Sequence, residues 1–127
     1  MTLWFGGYAV LQYRVALGPN PVGDKLRARD GRTPEGVYTI DGRNPDSEFH
    51  RALHISYPNA ADERSAREAG DEVGGEIMIH GLPDDAAWMG TEHARFDWTE
   101  GCIAVSNEEI DEIWKLVADG TPIEIRP

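Results

Sequence analysis

Glycine and proline punctuate this chain into short segments, and most of what lies between them reads as β-strand. Gly6-Gly7 suits a tight hairpin turn between two strand candidates, Thr2 to Phe5 and Tyr8 to Leu17. Gly18-Pro19-Asn20-Pro21 stops the second strand, and the turn from Asp30 to Gly36 precedes a further one, Val37 to Ile40. Phe49 to Tyr57 reads as a strand that ends before Pro58, and Asn59 to Ala69 as a polar helix closed by Gly70. Glu76 to Ile79 and Ile103 to Val105 are short apolar strands. Ser106 with Glu109 three residues on forms a capping box, and Ile110, Ile113, Trp114 and Val117 give the helix behind it a narrow apolar face as far as Gly120. Thr121 to Ile125 closes the chain as a strand. Six or seven strands and two helices without internal repeats predict one mainly β (β-rich α+β) domain over residues 1–127.

A length of 127 residues buries enough apolar surface to fold without disulfides or metals. The single cysteine forbids an intrachain disulfide and leaves the redox compartment open. The first twenty residues show no basic segment followed by an apolar stretch and a cleavage site, so no secretory leader is expected here. No run approaches the ~18 apolar residues that span a bilayer. Lysine and arginine number 12 against 23 aspartates and glutamates, a net charge of −11 that argues against a nucleic-acid or anionic-membrane partner.

Two residues stand out for chemistry. Cys102, in Trp98-Thr99-Glu100-Gly101-Cys102-Ile103-Ala104-Val105, lies where a loop enters a strand, and His80 ends the strand Glu76 to Ile79. A free cysteine is by itself most often a small buried hydrophobe. If the two strand ends are neighbours in a sheet, however, imidazole and thiol come within hydrogen-bond reach, the geometry a thiolate nucleophile needs. A thiol of pKa near ~8.5 is mostly protonated at neutral pH and requires such a base. Gly101 would let the backbone approach a substrate carbonyl, and an oxyanion donor there is worth ~3 kcal/mol of barrier. The rival is a zinc site drawn from His50, His54, His80, His93, Asp97 and Cys102. No recognised ligand spacing supports it, since His50 and His54 on one strand would stand about 13 Å apart. No metal and no cofactor are expected.

The order Thr33-Pro34-Glu35-Gly36-Val37-Tyr38, Ile77-Met78-Ile79-His80-Gly81, Gly101-Cys102-Ile103 and Gly120-Thr121-Pro122-Ile123 resembles an L,D-transpeptidase catalytic domain of the YkuD type over nearly the whole chain. Leu53 to Asn59 and Trp98 to Ala104 further resemble the YafK-like branch of that family. The resemblance implies a β-sandwich-like or barrel-like fold acting on peptidoglycan stem peptides, with a tetrapeptide as donor and an amine or water as acceptor. It implies Cys102 as nucleophile forming a thioester, His80 as base and later acid, and the Gly81 carbonyl as the group orienting the imidazole. The amides of Gly101 and Cys102 would then be oxyanion donors, with Thr99, Glu100 and Tyr57 as further substrate-binding candidates. A monomer in the periplasm or cell envelope is the matching expectation, with delivery elsewhere left open.

Two positions depart from the commoner pattern. Glu100 stands where many members have histidine or lysine, and its charge disfavours a nearby thiolate. Ala104 replaces a frequent arginine, which keeps hydrolysis of the same thioester in play. The alternatives are an L,D-carboxypeptidase or endopeptidase, a hydrolase releasing wall-attached protein, including one delivered as a toxin, and an inactive peptidoglycan-binding module. The segment from Asp84 to Met89 reads as one or two helical turns of a lid, with Trp88, Met89, Phe96 and Trp98 available to wall a cleft.

Overall fold

A computed structural model describes all residues 1–127. Its elements run β1 (Thr2–Phe5), β2 (Tyr8–Gln12), β3 (Gly36–Ser47), β4 (His50–Ile55), α1 (Ala60–Glu68), β5 (Met78–His80), a kinked 3-10 segment (Asp84–Arg95), β6 (Ile103–Ala104), α2 (Asn107–Leu116) and β7 (Pro122–Ile125). The β-rich expectation with two short helices holds. Five strands form one sheet in the order β6-β5-β4-β3-β7, and β1 with β2 makes a separate hairpin.

Every pairing in the larger sheet is antiparallel except β5 with β6, which is parallel, Ile79 opposite Ile103 and His80 opposite Ala104. Parallel neighbours need a crossover, here supplied by the 3-10 segment and its flanks between residues 80 and 103. On the outer side of β6, Ala16 completes the pairing with two bonds to Ala104 (Ala16 N–H to Ala104 O, 3.0 Å; Ala104 N–H to Ala16 O, 2.9 Å). The strand expected to reach Leu17 therefore ends at Gln12, and its continuation crosses over to guard the cysteine strand.

The core comprises Tyr38, Ile40, Leu53, Ile55, Ile77, Ile79, Ile103 and Val105 with Ile110 and Ile113 of α2. Both helices start on capping boxes, Asn59 with Asp62 and Ser106 with Glu109, which satisfy N–H groups a helix leaves orphaned. α2 stops at Leu116 rather than at Gly120. The Arg43 guanidinium of β3 takes the carbonyls of Trp114 and Val117, and Gly120 N–H is drawn to Ile40 O. The same turn then delivers β7 to the edge of β3.

β3 runs seven residues past the expected Val37 to Ile40 because Gly42 to Ser47 pair with β4. Leu53, on the central strand and fully buried, should be the costliest core truncation. Leu53→Ala is expected to lower unfolding free energy by about 2–5 kcal/mol in urea titration.

Candidate active site

β5 and β6 bring His80 and Cys102 to the same region of the sheet. Carried back two residues, the parallel register sets Cys102 against Met78, so thiol and imidazole share one face. They sit one strand apart and two residues offset, about 8 Å between Cα atoms by strand spacing.

The imidazole is held on three sides. Its Nδ1 lies 2.8 Å from Gly81 O; a carbonyl can only accept, so Nδ1 carries the proton and Nε2 keeps a free lone pair. Phe49, from the β3–β4 turn, stacks on the ring at 4.3 Å between centroids, and Trp98 meets it edge-on at 5.8 Å. Gly81 has no room for a side chain, since a Cβ there would stand 2.5 Å from Asn107 Oδ1 and 3.0 Å from Ile110. Asn107 in turn accepts from Leu82 N–H at 2.7 Å. α2 thus braces the His80-Gly81 corner through its first residue.

Cys102 does not bond to His80. Its thiol donates to Glu76 O at 3.3 Å. Burial pushes the thiol up from its ordinary range; the charges of Glu76 and Glu100 add to this, while Met78 N–H and Lys25 work against it. Burial likewise holds His80 below the usual histidine range, against the opposing pull of the Gly81 bond. The resting pair is therefore a neutral thiol beside a neutral imidazole at pH 7.

Thr99 lies at the centre of the cysteine loop. Its hydroxyl accepts from Gly101 N–H at 3.1 Å and donates to Cys102 O at 2.8 Å. Of the two amides expected to face an oxyanion, that of Gly101 is thus already engaged. The amide of Cys102 has no acceptor in the protein. Glu100 is exposed at the rim. Tyr57 is packed in the core with its hydroxyl given to Val73 O at 2.8 Å, so it brings no free polar group to Cys102. Ala104 is fully buried, paired in the sheet with His80 on one side and Ala16 on the other.

The lid segment is a 3-10 run from Asp84 to Arg95, kinked at Gly90. Leu82, Pro83, Ala86, Met89, Phe96 and Trp98, with His93, line a cavity of about 240 Å³. Trp98 is common to this cavity and to the wall around His80, whereas Trp88 points into solvent. Trp98 is fixed by its indole N–H to His93 Nδ1, 3.1 Å. The four histidines serve separate partners, His50 with Asp111 and His54 with Asp41 among them, and no three His, Cys, Asp or Glu side chains converge on a metal-sized site. Sequence reasoning passed over Phe49 and Asn107. Neither carries a local signal, because both reach the site through tertiary contacts.

A family model described as the L,D-transpeptidase catalytic domain, YkuD, matches residues 1–125. The chain belongs to this family. It is 33% identical over 112 residues to the Escherichia coli (strain K12) protein named "Putative L,D-transpeptidase YafK", an alignment covering 87% of this chain and 36% of that protein. Among solved structures it resembles the helical cell shape determining protein Pgp2 of Campylobacter jejuni, as the K307A mutant, with TM-score 0.70 and 28% identity over 91% of this chain and 37% of that one. Bd1075 of Bdellovibrio bacteriovorus gives a TM-score of 0.62 at 27% identity, covering 94% and 39%. An L,D-transpeptidase from Mycobacterium smegmatis shares the fold at 16% identity, TM-score 0.59, over 95% of this chain and 51% of that one. The chain spans little more than a third of the length of YafK and of Pgp2.

For this YkuD domain the raised thiol sets a pH signature. Alkylation of Cys102 by iodoacetamide should climb about tenfold per pH unit from pH 7 to 9 without levelling, as the scarce thiolate grows. A plateau below pH 8 would show instead a preformed ion pair with His80.

Proposed function

We propose that residues 1–127 form one catalytic unit of a cysteine L,D-transpeptidase that acts on peptidoglycan stem peptides. The observation that carries this reading is the commitment of His80 Nδ1 to Gly81 O, which leaves Nε2 as a base one strand away from the only thiol. Family membership supplies the substrate class.

In the reaction, the Cys102 thiol leaves Glu76 O and passes its proton to His80 Nε2. The thiolate attacks the carbonyl carbon of the third stem residue, and charge gathers on the carbonyl oxygen, where the free Cys102 N–H can donate. Collapse breaks the C–N bond to the terminal D-alanine, whose nitrogen takes the proton from the imidazolium. An acceptor amine then attacks the thioester, gives its proton to His80 and releases the thiolate, which is reprotonated. Phe49 and Trp98 hold the ring to its position through both halves, and their apolar faces keep water off it.

Water in place of the amine gives a carboxypeptidase or hydrolase from the same intermediate. The buried Ala104 favours this second reading, because no guanidinium is present at that position to hold substrate. Peptidoglycan lies outside the cytoplasmic membrane, so either reading puts the domain in the cell envelope. No helix of the structure is long and apolar enough to cross a membrane.

The test is mass spectrometry of purified tetrapeptide muropeptides incubated with the protein, with and without a free D-amino acid. Exchange of the terminal residue or cross-linked dimers should form with the wild type, be lost in Cys102→Ala, and fall about 10²- to 10⁴-fold in His80→Gln. Tripeptide without exchange would select hydrolysis. Conversion that survives in Cys102→Ala would sink the cysteine mechanism.

A further inference from the structure

Gly101 and Cys102 carry two backbone N–H and two C=O groups, and three of these four are engaged. Gly101 N–H goes to Thr99 Oγ1 and Cys102 O receives the Thr99 hydroxyl. Gly101 O receives the hydroxyl of Thr33 at 2.9 Å, a buried bond between residues 68 positions apart. The one group left over is Cys102 N–H.

From this geometry we infer that Thr33 is a positioning residue that aims the Cys102 amide at the oxyanion. In a trans peptide the C=O and the following N–H point in opposite directions across one rigid plane. The only cis bond in the chain is Tyr57-Pro58, so the Gly101-Cys102 peptide is trans. A hydroxyl that pins Gly101 O on one side therefore fixes the direction of Cys102 N–H on the other. Rotation of this plane would swing the amide away from the reacting carbonyl and leave Gly101 O buried without a partner.

The surroundings make the clamp stiff. Gly101 has φ +137°, and a Cβ there would lie 2.6 Å from Arg32 O, so the backbone before Thr33 presses directly on the cysteine loop. The loop that carries Thr33 is itself fixed by Asp30. That carboxylate accepts from the N–H groups of Leu26, Arg27 and Arg32 at 2.8 to 3.2 Å, and pairs with the buried Lys25 at 2.9 Å. The Thr-Pro turn and the cysteine loop thus form one unit. Hydrogen bonding, rather than proximity in sequence, makes Thr33 part of the nucleophile's frame.

The inference rests on the thioester reading, and one experiment separates the two. Turnover of tetrapeptide muropeptide and alkylation of Cys102 by iodoacetamide are measured on wild type, Thr33→Val, Thr33→Ala and Thr33→Ser. Alkylation displaces iodide from a saturated carbon and develops no oxyanion, so it reports the thiol and the integrity of its loop but not the aim of the amide. Thr33→Val and Thr33→Ala should lower kcat at least about tenfold, toward the 10²–10³ lost when an oxyanion donor is removed outright. KM and the alkylation rate should stay within about twofold of wild type, and Thr33→Ser should restore kcat to within about threefold. Parallel loss of turnover and alkylation would reduce Thr33 to a structural residue and overturn the inference. So would full kcat in Thr33→Val and Thr33→Ala, or failure of Thr33→Ser to rescue. Absence of any Cys102-dependent turnover in the wild type would overturn the thioester reading itself and this role with it.

Discussion

The whole site depends on a parallel pairing only two residues long, Ile79 with Ile103 and His80 with Ala104. Parallel ladders are weaker per residue than antiparallel ones, and so short a pair has little stability of its own. It is held from outside. β4 pairs with β5 on one side, Ala16 pairs with Ala104 on the other, and Ile110 and Ile113 of α2 pack on the buried isoleucines. A slip of one residue would turn either His80 or Cys102 to the opposite face. The register is therefore the constraint through which packing becomes chemistry, and most of the molecule serves to keep it.

Burial then sets the resting state of the pair. It opposes charge on both groups, raising the thiol and lowering the imidazole, which favours an uncharged thiol and an uncharged imidazole at neutral pH. The thiol spends its hydrogen on Glu76 O, and the imidazole spends its Nδ1 proton on Gly81 O. In the mechanism we propose, proton transfer is driven by the substrate that enters, and the unengaged Cys102 amide receives the charge that develops. In that proposal the bonds of Thr33 to Gly101 O and of Thr99 to Cys102 O hold the amide as a fixed dipole, which needs no reorganisation when charge appears.

Features fixed by local chemistry were legible in the sequence. β1 has the bounds read from Thr2 to Phe5, and both helices begin where short side chains cap them. The chain positions of His80 and Cys102, each at the end of a short apolar strand, were readable for the same reason. What escaped was set by distant partners. Gly42 to Ser47 carry little apolar alternation and are strand only because β4 lies alongside. α2 ends early because Arg43, more than seventy residues before, takes its last carbonyls. The engagement of Gly101 N–H, and the hold of Thr33 on Gly101 O, follow from hydroxyl directions that no spacing rule encodes. Tyr57 looked available as a motif residue, but its ring lies in the core and Val73 takes its hydroxyl.

The central claim is that Cys102 carries the acyl group, and acid-quenched peptide mapping tests it most directly. Protein mixed with tetrapeptide donor is stopped at successive times, digested, and the fragment holding Cys102 weighed. The account predicts an adduct equal to the donor less D-alanine, confined to that fragment and removed by hydroxylamine. Product formation with no adduct on Cys102 at any time, or with the acyl group on another residue, would contradict it.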